Sequence, residues 1–205
     1  MKILSLTSIF GNRVIVKFDS AISLTIPLDT AVQFFLKPKL ELTAEQYLSL
    51  KQTAQTQSLW NQTLKWATLR PRSVAELNHY AKDKLNDDQL QSFTQKLKDL
   101  NFLSDERFST WWVENRQAFR PKSQLELQQE LKRKGISADN RLTALSQSDE
   151  STACLQVAQK YAKKLSRFSD FEKKHKLYAY LIRRGFSSSH IKSAISQLLS
   201  TDRSD

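Results

Sequence analysis

Glycine is scarce in this chain of 205 residues, which contains only Gly11, Gly135 and Gly185. A phosphate-binding loop needs several glycines close together, so the common nucleotide-binding loops are excluded. No Ser/His/Asp or Cys/His order accompanies a recognisable nucleophile turn. The paired acids Asp87 and Asp88 lie at a predicted helix start, where negative charge is favourable for structural reasons. We therefore predict that the protein is not an enzyme and has no small-molecule substrate.

Cysteine and histidine are also sparse. The single Cys154 excludes an internal disulfide bond, and one thiol with His79, His175 and His190 scattered along the chain makes no metal site. We therefore predict neither a metal nor a cofactor. Helical spacing places Cys154 in line with Ala158, which favours a buried, unreactive thiol over a reactive one.

Long apolar runs are absent, although 40% of the residues are hydrophobic and 10% are aromatic. This composition predicts a folded protein. No run approaches the roughly 20 residues that a membrane-spanning helix needs. Residues 1–8 lack the apolar region and the cleavage pattern of a signal peptide. We expect a cytoplasmic protein that does not associate with membranes.

Acidic residues are in the minority, and the formal net charge is +11. The excess is uneven, because residues 150–205 carry eleven Lys or Arg against five Asp or Glu. A basic protein of this kind often binds a polyanion, but a run of like charges is also typical of a solvated helix face. Charge alone leaves both interpretations open.

Two short motifs recur at a spacing of fifty residues. The segment Arg70-Pro71-Arg72-Ser73 returns as Arg120-Pro121-Lys122-Ser123, and Lys132-Arg133-Lys134-Gly135 returns as Ile182-Arg183-Arg184-Gly185. Self-similarity at a fixed period of this size is the signature of a repeat architecture. We predict three units of three helices each, with a leading, a middle and a closing helix.

The first part of the chain has a different period. Val14, Val16 and Phe18 alternate with Ile15 and Lys17, as in a half-buried strand. The predicted fold is therefore mainly α, a tandem array of three three-helix repeats preceded by a small antiparallel β module of three strands. The predicted boundaries are 1–42 for the β module, 43–103 for a helical linker and repeat 1, 104–149 for repeat 2 and 150–205 for repeat 3.

Capping boxes mark the predicted helix starts. In such a box the side chains of a Ser or Thr and of a Glu or Gln three residues later bond to each other's free backbone amides. Aromatic residues at helical spacing, such as Trp111 and Trp112 beside Phe108, are interpreted as core rather than as surfaces for base stacking. The predicted boxes are Thr43 with Gln46, Ser73 with Glu76, Ser123 with Glu126, and Ser169 with Glu172.

Gly135 and Gly185 follow middle helices that end in cations. Glycine there permits the left-handed conformation that ends a helix, and a cation in the last turn suits the negative end of the helix dipole. One cation would satisfy that end, whereas these ends carry three and two, which favours a role in binding. The candidate residues for contacting a partner or DNA are Lys132, Arg133, Lys134, Arg183 and Arg184, with Lys173, Lys174 and Lys176 nearby in repeat 3.

These motifs, taken in order, resemble the RecX family of recombinase regulators. Residues 101–108 are similar to the family's unit-joining motif, and the stretches 130–136 and 183–186 continue it in the expected order. The resemblance covers roughly residues 60–197. Two departures concern local loop shape. The family usually has a glycine near the start of the second unit's middle helix, where this chain has Ala118-Phe119-Arg120-Pro121, and Leu85 replaces the glycine of the first unit.

The resemblance implies a function. Members of the family are tandem three-helix units that bind the RecA recombinase, lie in the groove of its filament on single-stranded DNA and oppose its extension and activity. It therefore implies an inhibitor of RecA that modulates DNA repair, recombination and the SOS response, with weak electrostatic contact to single-stranded DNA. We expect a monomer. The alternative is a DNA-binding module, sequence-independent or similar to a helix-turn-helix, that acts without RecA.

Overall fold

The structure is a computed structural model and describes residues 1–201. It contains three strands and ten α-helices, with one short 3-10 helix at Lys163–Leu165. The strands are β1 (Ile3–Ile9), β2 (Arg13–Phe18) and β3 (Ser23–Pro27). The helices are α1 (Leu28–Gln33), α2 (Ala44–Thr68), α3 (Val74–Ala81), α4 (Asp87–Asp99), α5 (Asp105–Phe119), α6 (Gln124–Arg133), α7 (Ala138–Ser146), α8 (Glu150–Ala162), α9 (Asp170–Arg183) and α10 (Ser188–Thr201).

The three strands form one antiparallel sheet in the order β1-β2-β3. Val16 of the central strand pairs with Leu6 on one side and with Leu24 on the other. Gly11, with φ of +83°, makes the turn between the first two strands. The inward residues are buried together with Leu50 and Ala54 of α2, so the beginning of α2 completes the core of the β module. The predicted three-stranded sheet is confirmed.

The helices follow one another in three groups of three, α2–α4, α5–α7 and α8–α10. The helix α2 begins at the predicted box, where the Thr43 hydroxyl accepts from the Gln46 amide and the Gln46 side chain accepts from the Thr43 amide. The middle helix of repeat 3 has 14 residues and that of repeat 2 has 10, as the spacing of the boxes predicts. The predicted mainly α fold with three helical repeats is confirmed.

The chain divides into two compact units that do not coincide with the predicted boundaries. The first unit contains residues 1–70 and 80–99, and the second contains residues 71–79 and 100–201. The start of α3 therefore belongs to the same unit as repeats 2 and 3. The predicted boundaries follow the groups of helices, and as domain limits they stay predictions.

Two cores fill the second unit, one in each repeat. In repeat 2 Phe108 and Leu131 are buried, and Trp111 and Trp112 pack against them, which confirms the assignment of these rings to the core. In repeat 3 the core includes Cys154, which is fully buried. Burial raises the pKa of the Cys154 thiol to about 11, so the predicted inert thiol is confirmed as buried and protonated near neutral pH.

Within residues 1–201 no helix has both the length and the apolarity needed to cross a bilayer. The same residues contain no group of three or more His, Cys, Asp or Glu side chains arranged to hold a metal ion.

Candidate interaction surface on repeats 2 and 3

The two middle helices of repeats 2 and 3 end in the same way. Gly135 and Gly185 have φ of +76° and +80°, the left-handed conformation that glycine adopts without strain. The amide of Ile136 donates to the Leu131 carbonyl at 3.1 Å, and the glycine amide donates to the Lys132 carbonyl at 3.0 Å. These two bonds define the helix-ending motif that the sequence predicts.

Each glycine also lies against the start of the preceding middle helix. A Cβ atom placed on Gly135 would lie 2.7 Å from the Cβ atom of Ala75. A Cβ atom on Gly185 would lie 2.9 Å from Cδ2 of Leu125 and 3.1 Å from the Ser123 hydroxyl. The two glycines are therefore required twice, once for backbone conformation and once for close approach between successive middle helices.

A repeated ion pair lies beside each glycine. Lys134 Nζ is 3.2 Å from Glu76 Oε1. The Arg184 guanidinium donates to both carboxylate oxygens of Glu126, at 2.9 and 3.0 Å. Both pairs join residues 58 positions apart, so each is the counterpart of the other. We call each such contact a junction, made by the pair, its glycine and the facing helix start.

The junctions change how the predicted capping boxes are used. Ser123 accepts from the Glu126 amide at 3.2 Å and donates to the Arg184 carbonyl at 2.6 Å. Glu126 turns both of its oxygens to Arg184, so the predicted box at Ser123 forms only in its serine half. At Ser169 the box with Glu172 is complete and exposed, as predicted. A glutamate that closes a box in one repeat thus binds a neighbouring repeat in another.

The capping pattern alone does not reveal that Glu76 and Glu126 pair with the next repeat. The signal was present, because the box glutamate and the cation before each glycine recur with the same separation. The pairing also favours the charged form of Arg184, since the hydrogen bonds that the guanidinium donates to Glu126 raise its pKa above the ordinary value. Arg184 donates further to the Tyr180 hydroxyl at 3.0 Å.

A second polar cluster lies inside repeat 2. Glu130 accepts from Trp112 Nε1 at 2.8 Å, from Arg116 Nε at 2.8 Å and from Lys122 Nζ at 2.6 Å. Burial opposes ionisation of Glu130, but the hydrogen bonds from Lys122, Arg116 and Trp112 outweigh it and lower the pKa of the carboxyl to about 2. Lys134 lies over the Trp112 ring at 4.9 Å.

The eight predicted cations therefore have different surroundings. Lys134 and Arg184 are half-buried and hold the junctions. Lys173 is partly buried and lies 3.6 Å from Asp170, and Lys176 lies over the Phe168 ring at 4.5 Å. The exposed members of the set are Lys132, Arg133, Lys174, Lys176 and Arg183.

The structure does not gather these exposed cations at one point. Lys132 and Arg133 lie at the end of α6, whereas Arg183 lies at the end of α9. Lys174 and Arg183 are separated by more than two turns of α9, roughly 14 Å along the helix axis. Lys176 and Arg183 are seven residues apart and share one face of α9. The candidate set is a row of separate charges rather than a pocket.

The helical repeats and their junctions define a class of protein, the three-helix repeat proteins, and comparison identifies the family. The model of the second three-helix domain of RecX matches residues 104–145, and the model of the third matches residues 148–195. Regulatory protein RecX of Chlorobium phaeobacteroides is 35% identical over 104 residues, which are 51% of this chain and 68% of that protein. The chain belongs to the RecX family.

Other relatives extend the match along the chain. Regulatory protein RecX of Bacillus licheniformis is 27% identical over 189 residues, covering 90% of this chain and 72% of the relative. The crystal structure of a regulatory protein RecX superposes with a TM-score of 0.65 at 18% identity, over 93% of this chain and 97% of the other. RecX from Lactobacillus salivarius gives 0.60 at 22% identity, over 70% and 96%. These two likenesses establish the fold.

Proposed function

We propose that the protein inhibits the RecA recombinase by binding in the groove of the RecA filament on single-stranded DNA and limiting its extension and activity. The observation that carries the proposal is membership of the RecX family, whose relatives are named regulatory proteins. The function belongs to DNA repair and recombination in the cytoplasm, and it requires no cofactor.

The junctions support this proposal physically. They are alike, so they hold successive middle helices in one register and place Arg133 and Arg183 at equivalent helix ends. A filament repeats its surface from one protomer to the next, and a protein with repeated contacts gains affinity when several engage together. Repeated cations suit a repeated anionic partner.

The exposed cations are the proposed contacts. Lys132, Arg133 and Arg183 face solvent at the helix ends, with Lys174 and Lys176 on α9. We assign Lys134 and Arg184 a positioning role, since their charges already meet Glu76 and Glu126. Lys173 keeps a contact role once its pair with the exposed Asp170 opens, because an ion pair with one exposed partner contributes little to stability.

Inhibition of RecA is the direct test. The purified protein is added below stoichiometric ratio to RecA filaments on single-stranded DNA, and ATP turnover is followed. We expect loss of turnover, and we expect the variant Arg133→Glu with Arg183→Glu to inhibit much less. The control is Lys51→Glu on α2, an exposed cation of the other compact unit. Unchanged turnover at every ratio of the natural protein would overturn the proposal.

The rival function, a DNA-binding module that acts without RecA, predicts a different result. It requires tight, sequence-dependent DNA affinity at physiological salt when RecA is absent. The helix ends that carry the exposed cations point carbonyls outward, so they contact phosphates through side chains only and dictate no base reading. Weak, sequence-blind binding that falls steeply with salt fits the regulator.

A further inference from the structure

A cavity of about 330 Å³ lies between repeats 2 and 3, within the second compact unit. We call it the repeat 2–3 cleft. Phe119 at the end of α5 and residues 120–122 after it form one wall, and side chains of α8, of the 3-10 helix and of the end of α9 form the others. Its volume lies in the range of sites that hold a small ligand or one unit of a polymer. None of the proposed RecA contacts lines it.

The cleft is strongly basic. Arg120, Lys122, Lys160, Lys164 and Arg184 line it, and no lining residue is acidic. Lys122 and Arg184 are already paired with Glu130 and Glu126. The other three cations are exposed, and within residues 1–201 none of them has a carboxylate oxygen within 4.0 Å. They leave an uncompensated charge of about +3 around one cavity.

An exposed aromatic ring stands at the edge of the same cavity. Phe119 is the last residue of α5, and 78% of its surface is exposed. In the described part of the chain its ring stacks on no other ring and lies under no cation. Deeper in the cleft Tyr161 and Tyr180 stack on each other at 3.9 Å, so each ring uses one face on the other. Phe119, which has no ring partner and is 78% exposed, therefore offers the most accessible aromatic face of the cleft.

A free aromatic face beside unpaired cations is the arrangement that binds single-stranded nucleic acid. Bases stack on the ring while cations follow the phosphates, and neither contact reads sequence. An acidic protein segment would use the cations but would have no use for the ring face. A base inside a duplex is already stacked and does not reach such a ring. The exposed ring therefore favours single-stranded nucleic acid over an acidic protein segment or a duplex.

We infer that the repeat 2–3 cleft binds single-stranded nucleic acid, with one base stacked on Phe119 and neighbouring phosphates bound by Arg120, Lys160 and Lys164. The inference rests on the proposed function, because it places the DNA part of that contact at a site separate from the exposed cations of the helix ends. The proposed site also assigns the two contributions to binding to different residues, since the base stacks on Phe119 and the phosphates contact the three cations.

Salt titration of a labelled thymidine oligomer, without RecA, tests the inference because the two contacts respond differently. Phe119→Ala is expected to weaken binding about five- to 150-fold and to leave the salt dependence unchanged. Lys160→Ala is expected to reduce the slope of log affinity against log salt by about 0.7, and the double variant with Lys164→Ala by about 1.4. Phe119→Trp should keep the affinity.

Matched controls exist in the same chain. Phe10→Ala removes a ring that is 96% exposed in the β module, and Lys192→Ala removes an exposed cation of α10 that does not line the cleft. Both controls should bind the oligomer as the natural protein does. Circular dichroism melting shows that each variant is folded, and the substituted side chains of both sets are exposed.

Several outcomes would overturn the inference, and they differ from failure of the proposed function. No measurable binding by the natural protein at low salt would overturn it, as would equal binding of a duplex. Cleft variants that bind the oligomer normally but lose inhibition of RecA would show that the cleft takes an acidic protein segment. A natural protein that binds the oligomer through the cleft yet leaves RecA turnover unchanged would overturn only the proposed function.

Discussion

Repeats 2 and 3 have the same order of helices and the same helix-ending glycine, but they differ in the side chains at equivalent positions. Arg116 stands eleven residues after the first residue of α5, and Tyr161 stands eleven after the first residue of α8. Glu130 and Tyr180 each precede the helix-ending glycine by five residues. In repeat 2 these positions form an ion pair at 2.8 Å, and in repeat 3 they form a stack of two rings at 3.9 Å. The same two positions therefore hold an ion pair in repeat 2 and an aromatic stack in repeat 3.

The difference has an electrostatic consequence. In repeat 2 the carboxylate of Glu130 compensates Arg116 and Lys122. In repeat 3 the stack takes the place of that carboxylate, and Lys160 of α8 and Lys164 of the 3-10 helix line the cleft with no carboxylate oxygen of residues 1–201 within 4.0 Å. Repeat 3, which has Tyr180 where repeat 2 has Glu130, is also the repeat with the largest excess of Lys and Arg over Asp and Glu. The junctions are alike in the two repeats, whereas the side chains beside them differ in charge.

The largest expected effect concerns the junctions. Gly135→Ala forces a left-handed conformation that costs roughly 1–2 kcal/mol and overpacks the Ala75 contact for roughly 1–3 kcal/mol more. We expect a loss of about 2–5 kcal/mol in the free energy of unfolding. Gly185→Ala should cost less, because its shortest contact is with the movable end of the Leu125 side chain and its contact with the Leu125 Cβ atom, at 3.2 Å, is longer than the 2.7 Å to the Cβ atom of Ala75. Chemical denaturation measures both.

The chain contains a control for the contact. Gly11 has the same left-handed φ, but a Cβ atom there would lie 3.8 Å from its nearest neighbour. Gly11→Ala should therefore cost only the conformational part, about 1–2 kcal/mol. Adding Ala75→Gly to Gly135→Ala should restore part of the loss. Equal losses at Gly11 and Gly135 would show that the close approach carries no energy.

The second prediction concerns Glu130 of repeat 2, whose equivalent position in repeat 3 is Tyr180. The folded pKa of Glu130, about 2, lies below its ordinary value of 4.5, so the unfolded chain takes up its proton first. Its contribution to stability is present above about pH 4.5 and is lost as the pH falls towards 2. We expect Glu130→Gln to cost about 1–3 kcal/mol at pH 7, after allowance for the partly exposed partners.

Denaturation curves at several pH values give the measurement. The stability difference between the natural protein and Glu130→Gln should shrink steadily between pH 4.5 and 2. Tyr180→Phe in repeat 3 is the matched comparison, because it removes only a hydroxyl that accepts from Arg184. Its cost should be independent of pH in that window. A constant difference for Glu130→Gln would contradict the cause assigned to its pKa.

Much of the fold could be predicted from the sequence. The period-two pattern around Val16 marks a strand, the box at Thr43 marks a helix start, and the recurring glycine frames mark helix ends. Each of these signals is local, since it depends on residues within one turn or one strand. The box at Asn86 and Gln89, in which each side chain accepts from the other's amide, was nevertheless missed. It contains neither the serine nor the glutamate that marks the repeats.

The surroundings of the candidate residues could not be predicted in the same way. A cation before Gly185 looks identical in sequence whether it serves the helix dipole, a partner or Glu126, because the pairing joins residues 58 positions apart. Phe119 stands in the sequence only as a departure from a family glycine, and Lys160 and Lys164 look like a solvated helix face. These three residues line one cavity because repeats 2 and 3 pack together, and no local sequence pattern predicts that packing.

The smallest expected effect compares the two junction ion pairs. Arg184 donates two bonds to Glu126 and one to Tyr180, whereas Lys134 contacts Glu76 at 3.2 Å. Because bidentate pairs are stronger than single contacts, we expect Arg184→Ala to cost about 1–2 kcal/mol and Lys134→Ala less than about 1 kcal/mol.

A double-mutant cycle isolates the pair from the lost packing of a long side chain. The cycle joins Arg184→Ala with Glu126→Gln, and the interaction energy should be about 1 kcal/mol or more. Arg184→Lys should recover less than half of it, since an ammonium group cannot make the two parallel bonds of a guanidinium. An interaction energy near zero would mean that Gly185 and its packing hold that junction without the charges.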